Sequence, residues 1–82
     1  MRVEFTKAAD KEFEQLPRAE MKKVARKLLA LENNPYSGKK LEGKLKDRYS
    51  LRAWPYRILY IIDPKNQTVY IDTIEHRQGV YK

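Results

Sequence analysis

The chain of 82 residues has no cysteine and a single histidine. The first absence excludes disulfides, and the two together leave too few soft ligands for a protein-ligated transition metal. Neither a metal nor any other cofactor is therefore expected. No apolar run approaches the length of a membrane span. The opening "MRVEFTKAAD" has no signal-peptide hydrophobic region, so the expectation is a cytoplasmic protein with no membrane partner. There is no internal repeat and no low-complexity tract. The length leaves no room for a second core, so residues 1–82 read as one domain. A chain of this size buries only about 60–65% of its unfolded surface, which makes its stability modest.

Positive charge, by contrast, is plentiful. The formal net charge is +7, and it is unevenly placed. Residues 1–35 carry eight basic and six acidic side chains, and residues 59–82 carry three of each. Residues 36–58 carry seven basic and two acidic, an excess of +5 in one middle segment. Such clustering suits a polyanion: RNA, DNA or an acidic protein partner. A solvated surface that serves solubility is the plainer alternative.

Periodicity gives the elements. "RVEF" alternates as a short first strand, with Val3 and Phe5 on one face. Thr6 is the expected N-cap of a helix through "KAADKEFEQL", whose Ala9, Phe13 and Leu16 form one apolar stripe. Pro17 ends that helix and can start the next, "RAEMKKVARKLLALEN". Met21, Val24, Ala25, Leu28 and Leu31 line one side of it. Lys22, Lys23, Arg26 and Lys27 line the other, by default a solvated face. Residues 35–47, "PYSGKKLEGKLKD", hold two of the three glycines and read as a loop.

Strands come next. In "RYSLRA", Tyr49, Leu51 and Ala53 face one way, and Arg48, Ser50 and Arg52 the other. "WP" makes a tight connection to "YRILYIID", with Tyr56, Ile58, Tyr60 and Ile62 opposed to Arg57, Leu59 and Ile61. "PKNQ" is a hairpin turn, "TVYIDTI" the last strand, and "IEHRQGVYK" leads away from it. Both long strands are nearly all apolar, which implies cover on both faces at the sheet centre. The expectation is an α+β fold of order β-α-α-β-β-β, with two N-terminal helices packed on a mostly antiparallel sheet of about four strands.

Three arginines in that sheet need a reason. A tight β-hairpin brings Arg52 and Arg48 near Arg57, and clustered guanidiniums repel one another unless an anion joins them. Phosphate fits, because the planar guanidinium fork grips its oxygens two at a time. Pairing with Glu42, Asp47 or Asp72, or escape to solvent, would equally remove the need for a ligand.

The segments "LEG", "YSLRAWPYRILYIID" and "TVYIDTIEHRQGVYK", preceded by "FEQLP", stand in an order that resembles the RelE family of toxin–antitoxin ribonucleases, within the RelE/ParE superfamily. The resemblance runs over essentially the whole chain and rests on the combination, since no one motif is specific. It implies a RelE-like fold and a toxin that cuts mRNA in the ribosomal A site, so that its partners would be the ribosome and mRNA. It also implies restraint by a cognate antitoxin, acidic or amphipathic, in a hetero-oligomer. The implied reaction is metal-independent: the ribose 2′-hydroxyl attacks the adjacent phosphate and leaves a 2′,3′-cyclic phosphate. Arg57 matches the family's phosphate-contacting arginine, Arg77 the arginine after the last strand, and Tyr81 the C-terminal tyrosine. Arg48 falls where some members carry a basic residue. Ser50 departs from the pattern, because the best-known members have lysine there, and the group that takes over its role is left open.

Such a reaction needs a base, an acid for the leaving 5′-oxygen, and charge stabilisation. Arginine is too strong a base to trade protons near neutrality, so Arg48, Arg57 and Arg77 suit the third task. An imidazole titrates near 6.5, which makes His76 a proton-transfer candidate beside its plainer reading as a structural residue. A tyrosine starts near 10, but neighbouring arginines favour the phenolate, and Tyr81 is preferred over His76. Arg52, Lys44, Lys46 and Trp54 are candidates for RNA contact, Trp54 by stacking, against the plainer reading of a tryptophan half-buried under a loop. Loop lysines 39, 40, 44 and 46 suit contact with ribosome or antitoxin. Two other functions compete: a ParE-type inhibitor of DNA gyrase, and a non-catalytic basic module that binds nucleic acid.

Overall fold

The computed structural model describes residues 1–45 and 47–76. In chain order it contains β1 (Arg2–Phe5), α1 (Lys7–Glu14), α2 (Arg18–Asn33), β2 (Lys39–Lys40), β3 (Tyr49–Ala53), β4 (Tyr56–Asp63) and β5 (Thr68–His76). Short 3₁₀ turns occupy Pro35–Ser37 and Gly43–Leu45. The strands form one sheet in the order β1-β5-β4-β3-β2. β1 lies parallel to β5, and every other pair is antiparallel.

The α+β architecture is as the sequence implies, with five strands in place of four. The additional strand, β2, lies in the segment read as a loop. Two residues show no period of their own, and β2 exists only because Lys39 and Lys40 pair with Ser50 and Tyr49. Lysine on so short an edge strand also discourages pairing with another chain.

Thr6 caps α1 as expected, its hydroxyl oxygen accepting from the Ala9 amide at 3.1 Å. The same hydroxyl donates to the Asp72 carbonyl at 2.9 Å. β1 has ended at this point, and the outer edge of β5 would lose its partners. α1 supplies them: Glu12 Oε1 accepts from the Ile74 amide at 2.9 Å. Thr6→Ala therefore removes a cap and a strand contact together. The expected cost is about 1–2 kcal/mol, which thermal denaturation would register as a fall on the order of 5–15 °C in Tm.

Pro17 stands at the N-cap of α2 with φ −56°, just ahead of the first turn. Val24, Leu28 and Leu31 of α2 and Ala9 of α1 are buried against Ala53, Ile58, Tyr60, Val69, Ile71 and Ile74 of the sheet. Val3, Phe5, Phe13 and Leu16 pack around them. On the other face, Leu59 is buried as well.

An irregularity in β5 decides which of its side chains share a face. Leu59 pairs with Thr73 but Tyr60 pairs with Ile71, so Asp72 is an extra residue, a β-bulge. The hydrophobic pattern demands it: Val69 and Ile71 keep alternate spacing, then the next apolar residue is Ile74 rather than position 73. A bulge lets all three face the helices.

Candidate functional site

The face of the sheet away from the helices carries the arginines. Arg52 of β3 and Arg57 of β4 are directly opposite one another, so their side chains share that face. Arg52 is exposed and Arg57 half-buried. Arg57 in turn stands opposite Glu75 of β5. Leu59, nearly buried, forms the floor beside them. Thr73, opposite Leu59, adds a buried hydroxyl with no hydrogen-bond partner among the described residues.

Arg48 behaves differently from the other two. Its Nε donates to Asp72 Oδ2 at 3.0 Å and its Nη1 to Asp47 Oδ1 at 3.0 Å. The first contact spans the sheet from the start of β3, over β4, to the bulge in β5. The Asp72 hydrogen bond, and then its charge, raises the already high pKa of the Arg48 guanidinium, which leaves a fixed and partly neutralised cation. The ion pairs among the described residues engage Arg2, Lys23 and Arg48, and neither Arg52 nor Arg57 takes part. Those two are the opposed cations of this face.

Like charges placed directly across a strand pair destabilise it, by roughly 0.2–1 kcal/mol. Arg52→Thr, a β-favouring residue with no charge, is therefore expected to raise Tm by a few degrees in a calorimetric scan. The same substitution should weaken binding to a polyanion.

The remaining candidates are dispersed. His76 lies within β5, which runs two residues beyond the expected strand, and it pairs with Tyr56. Their rings meet edge to face at 5.1 Å. Tyr56 packs on the core, so His76 is on the helix side of the sheet, not beside Arg57. The bulge is the cause: without Asp72 as the extra residue, Glu75 and His76 would exchange faces. Trp54 is 52% exposed at the β3–β4 turn, which leaves a face open for stacking while the rest is covered. Its carbonyl accepts from Lys23 Nζ at 2.8 Å, which ties one lysine of the basic helix face to the hairpin. Lys44 is exposed in the 3₁₀ turn after β2. Lys46, Arg77 and Tyr81 lie outside the described residues.

Sequence reasoning reaches Asp72 only as one of several possible partners and passes over Glu75 and Thr73. The slip in alternation between Ile71 and Ile74 is the available signal for the bulge that positions all three.

Known proteins share this sequence pattern and fold. A family described as "ParE toxin of type II toxin-antitoxin system, parDE" matches residues 3–81. The chain is 33% identical to Toxin RelG of Mycobacterium tuberculosis over 98% of this chain and 94% of that protein. The toxin–antitoxin complex RelBE2 of the same organism contains a chain of similar fold, with a TM-score of 0.85 at 33% identity, over 93% of this chain and 96% of that one. The isolated E. coli RelE toxin gives a TM-score of 0.79 at 26% identity, over 98% and 89%.

Proposed function

Because this chain belongs to the RelE/ParE superfamily of type II toxin–antitoxin toxins, we propose that it is a ribosome-dependent endoribonuclease that cleaves mRNA in the A site and so inhibits translation. The observation that carries the reading is the Arg52–Arg57 opposition on the open sheet face. Two arginines at directly opposed positions on one face, with no carboxylate ion pair among the described residues, can both reach a dianionic phosphorane.

In this reaction the ribose O2′ forms a bond to phosphorus while the P–O5′ bond breaks. The 2′-hydroxyl gives its proton to a base, and O5′ gains one as it departs. The products are a 2′,3′-cyclic phosphate and a 5′-hydroxyl, and no metal is required. Arg57 and Arg52 offset the negative charge that develops between those two bonds. Arg48, locked to Asp72 and Asp47, contributes a fixed positive field more readily than a direct phosphate contact. Arg77 and Tyr81 keep the roles their sequence positions imply, Arg77 as a further phosphate donor and Tyr81 as the proton-transfer group. His76 fits that second role less well, because it shares a face with Tyr56.

The partner expected to restrain the toxin is a cognate antitoxin with an acidic or amphipathic segment that covers basic surface. The solved relative from M. tuberculosis is a toxin–antitoxin complex. No helix among the described residues is long and apolar enough to cross a membrane, and the proposed site of action is the cytoplasm.

Inhibition of DNA gyrase is the second reading, favoured by the ParE description of the matching family. The two separate cleanly when purified protein is added in parallel to a reconstituted translation reaction and to a gyrase supercoiling reaction. The ribonuclease reading expects truncated mRNA and normal supercoiling. Intact mRNA with loss of supercoiling would replace it by the second.

A further inference from the structure

The opposed arginines belong to a longer row. Lys39 of β2 stands directly opposite Ser50 of β3. Ser50 and Arg52 are two residues apart on one strand and share its outer face. Lys39 therefore projects onto the same face as Arg52 and Arg57, and its neighbour Lys40, opposite Tyr49, onto the other. Tyr49 packs on the core, which fixes the sense of that alternation.

Both flanks of β2 are anchored, so the assignment does not depend on a loose edge. Ahead of it, the Gly38 amide donates to the Tyr60 hydroxyl at 3.0 Å, and that hydroxyl donates to the Pro35 carbonyl at 2.9 Å. Behind it, the Leu41 amide donates to the Arg48 carbonyl at 2.9 Å. A shift of one residue would break these contacts and exchange the two lysines.

We infer that Lys39 is a phosphate-contacting residue of the RNA site, in a row of cations that crosses three strands as Lys39, Arg52 and Arg57. This deepens the ribonuclease reading and rests on it for the identity of the polyanion. The occupant is a single-stranded RNA backbone: strands lie about 4.8 Å apart and Lys39 is offset from Arg52 by two residues along the strand, about 7 Å, so the diagonal row extends about 12 Å, enough to engage the phosphate next to the scissile one. An ammonium serves there as a compact point charge, where a fork is not needed.

The test compares Lys39→Gln with Lys40→Gln in the full chain, using a short single-stranded RNA blocked against cleavage by 2′-O-methyl groups. Lys39→Gln is expected to weaken binding several-fold and to lower the slope of log affinity against log salt by about 0.7, the value for one phosphate contact on a single strand. Lys40→Gln should leave both unchanged, and Lys39→Arg should restore them. Equal losses in the two glutamine variants, or none in Lys39→Gln, would overturn the inference even if the wild-type protein cuts mRNA. A selective loss in Lys39→Gln would uphold the site even if translation assays showed no cleavage. Wild-type protein that does not bind the RNA at all would overturn the inference, while the ribosome-dependent reading would still stand or fall on the translation reaction. Melting curves of the variants should coincide with wild type, since both lysines are exposed.

Discussion

Arg57→Ala is expected to slow mRNA cleavage about 100- to 1,000-fold, the usual consequence of losing one preorganised donor to a developing oxyanion, or roughly 3–4 kcal/mol of transition-state stabilisation. The loss should fall on the chemical step more than on ribosome affinity, because Arg57 contributes one charge among 18 lysines and arginines. It should also leave the fold intact. Arg57 lies opposite Arg52, and relief of that repulsion offsets the packing lost from a half-buried stem. Single-turnover kinetics at saturating enzyme, with a calorimetric scan of the same sample, separate these effects. A variant that melts several degrees lower would point to a structural role instead. Arg52→Lys makes a useful companion, since it keeps the charge but loses the fork, and an intermediate rate is expected.

Gly38→Ala is expected to be the most damaging small substitution among the described residues. A Cβ at this position would press on the Tyr60 hydroxyl and come within 2.9 Å of the Ser50 carbonyl. The carbonyl is backbone and cannot yield easily, so overpacking alone costs about 1–3 kcal/mol. If the tyrosine gives way, its hydrogen bonds to the Gly38 amide and Pro35 carbonyl go with it, which adds roughly 1–3 kcal/mol for partners left unpaired. Burial already raises the pKa of the Tyr60 hydroxyl, so a neutral, doubly bonded phenol is what the site is built around. Denaturant titration should show the midpoint fall with m unchanged. Tyr60→Phe removes the obstructing oxygen, so the double variant should be less destabilised than the sum of the two singles. Strict additivity would mean that the clash lies with Ser50 alone.

Much of this molecule is legible in its sequence, for identifiable reasons. Thr6 and Pro17 are local chemistry, and each acts within one turn of its own position. The β3–β4 hairpin is local as well: a two-residue connection at Trp54 and Pro55 leaves little freedom in register, so the meeting of Arg52 with Arg57 can be anticipated. β2 cannot, because two lysines in a loop acquire strand geometry only through Ser50 and Tyr49, which lie beyond the next turn of the chain. The face of His76 escapes a sequence reading for a related reason. Facing along β5 depends on counting through Asp72, and a single bulged residue inverts every assignment beyond it. The apolar spacing of Ile71 and Ile74 holds that information, but its meaning depends on knowing that both must reach one core. Arg48 shows the third kind of limit. Its partner Asp72 is among the carboxylates the sequence offers, yet the choice between carboxylate and phosphate rests on distance across two strands.

The ribonuclease account also has a cost written into the sheet. The outer face keeps two cations opposed and a threonine hydroxyl unpartnered among the described residues beneath them, and a sequence selected for stability alone would mend both. Arg48 is mended, by Asp72 and Asp47. On the ribonuclease account, that contrast within one face separates the arginine that ties strands together from the pair proposed to meet the phosphate.

The most direct test is primer extension on an mRNA in a reconstituted translation reaction, with wild-type protein beside Arg57→Ala. The account predicts cuts at A-site codons with wild type that weaken by two to three orders of magnitude in the variant. Intact mRNA in both lanes, or equal cutting in both, would contradict it.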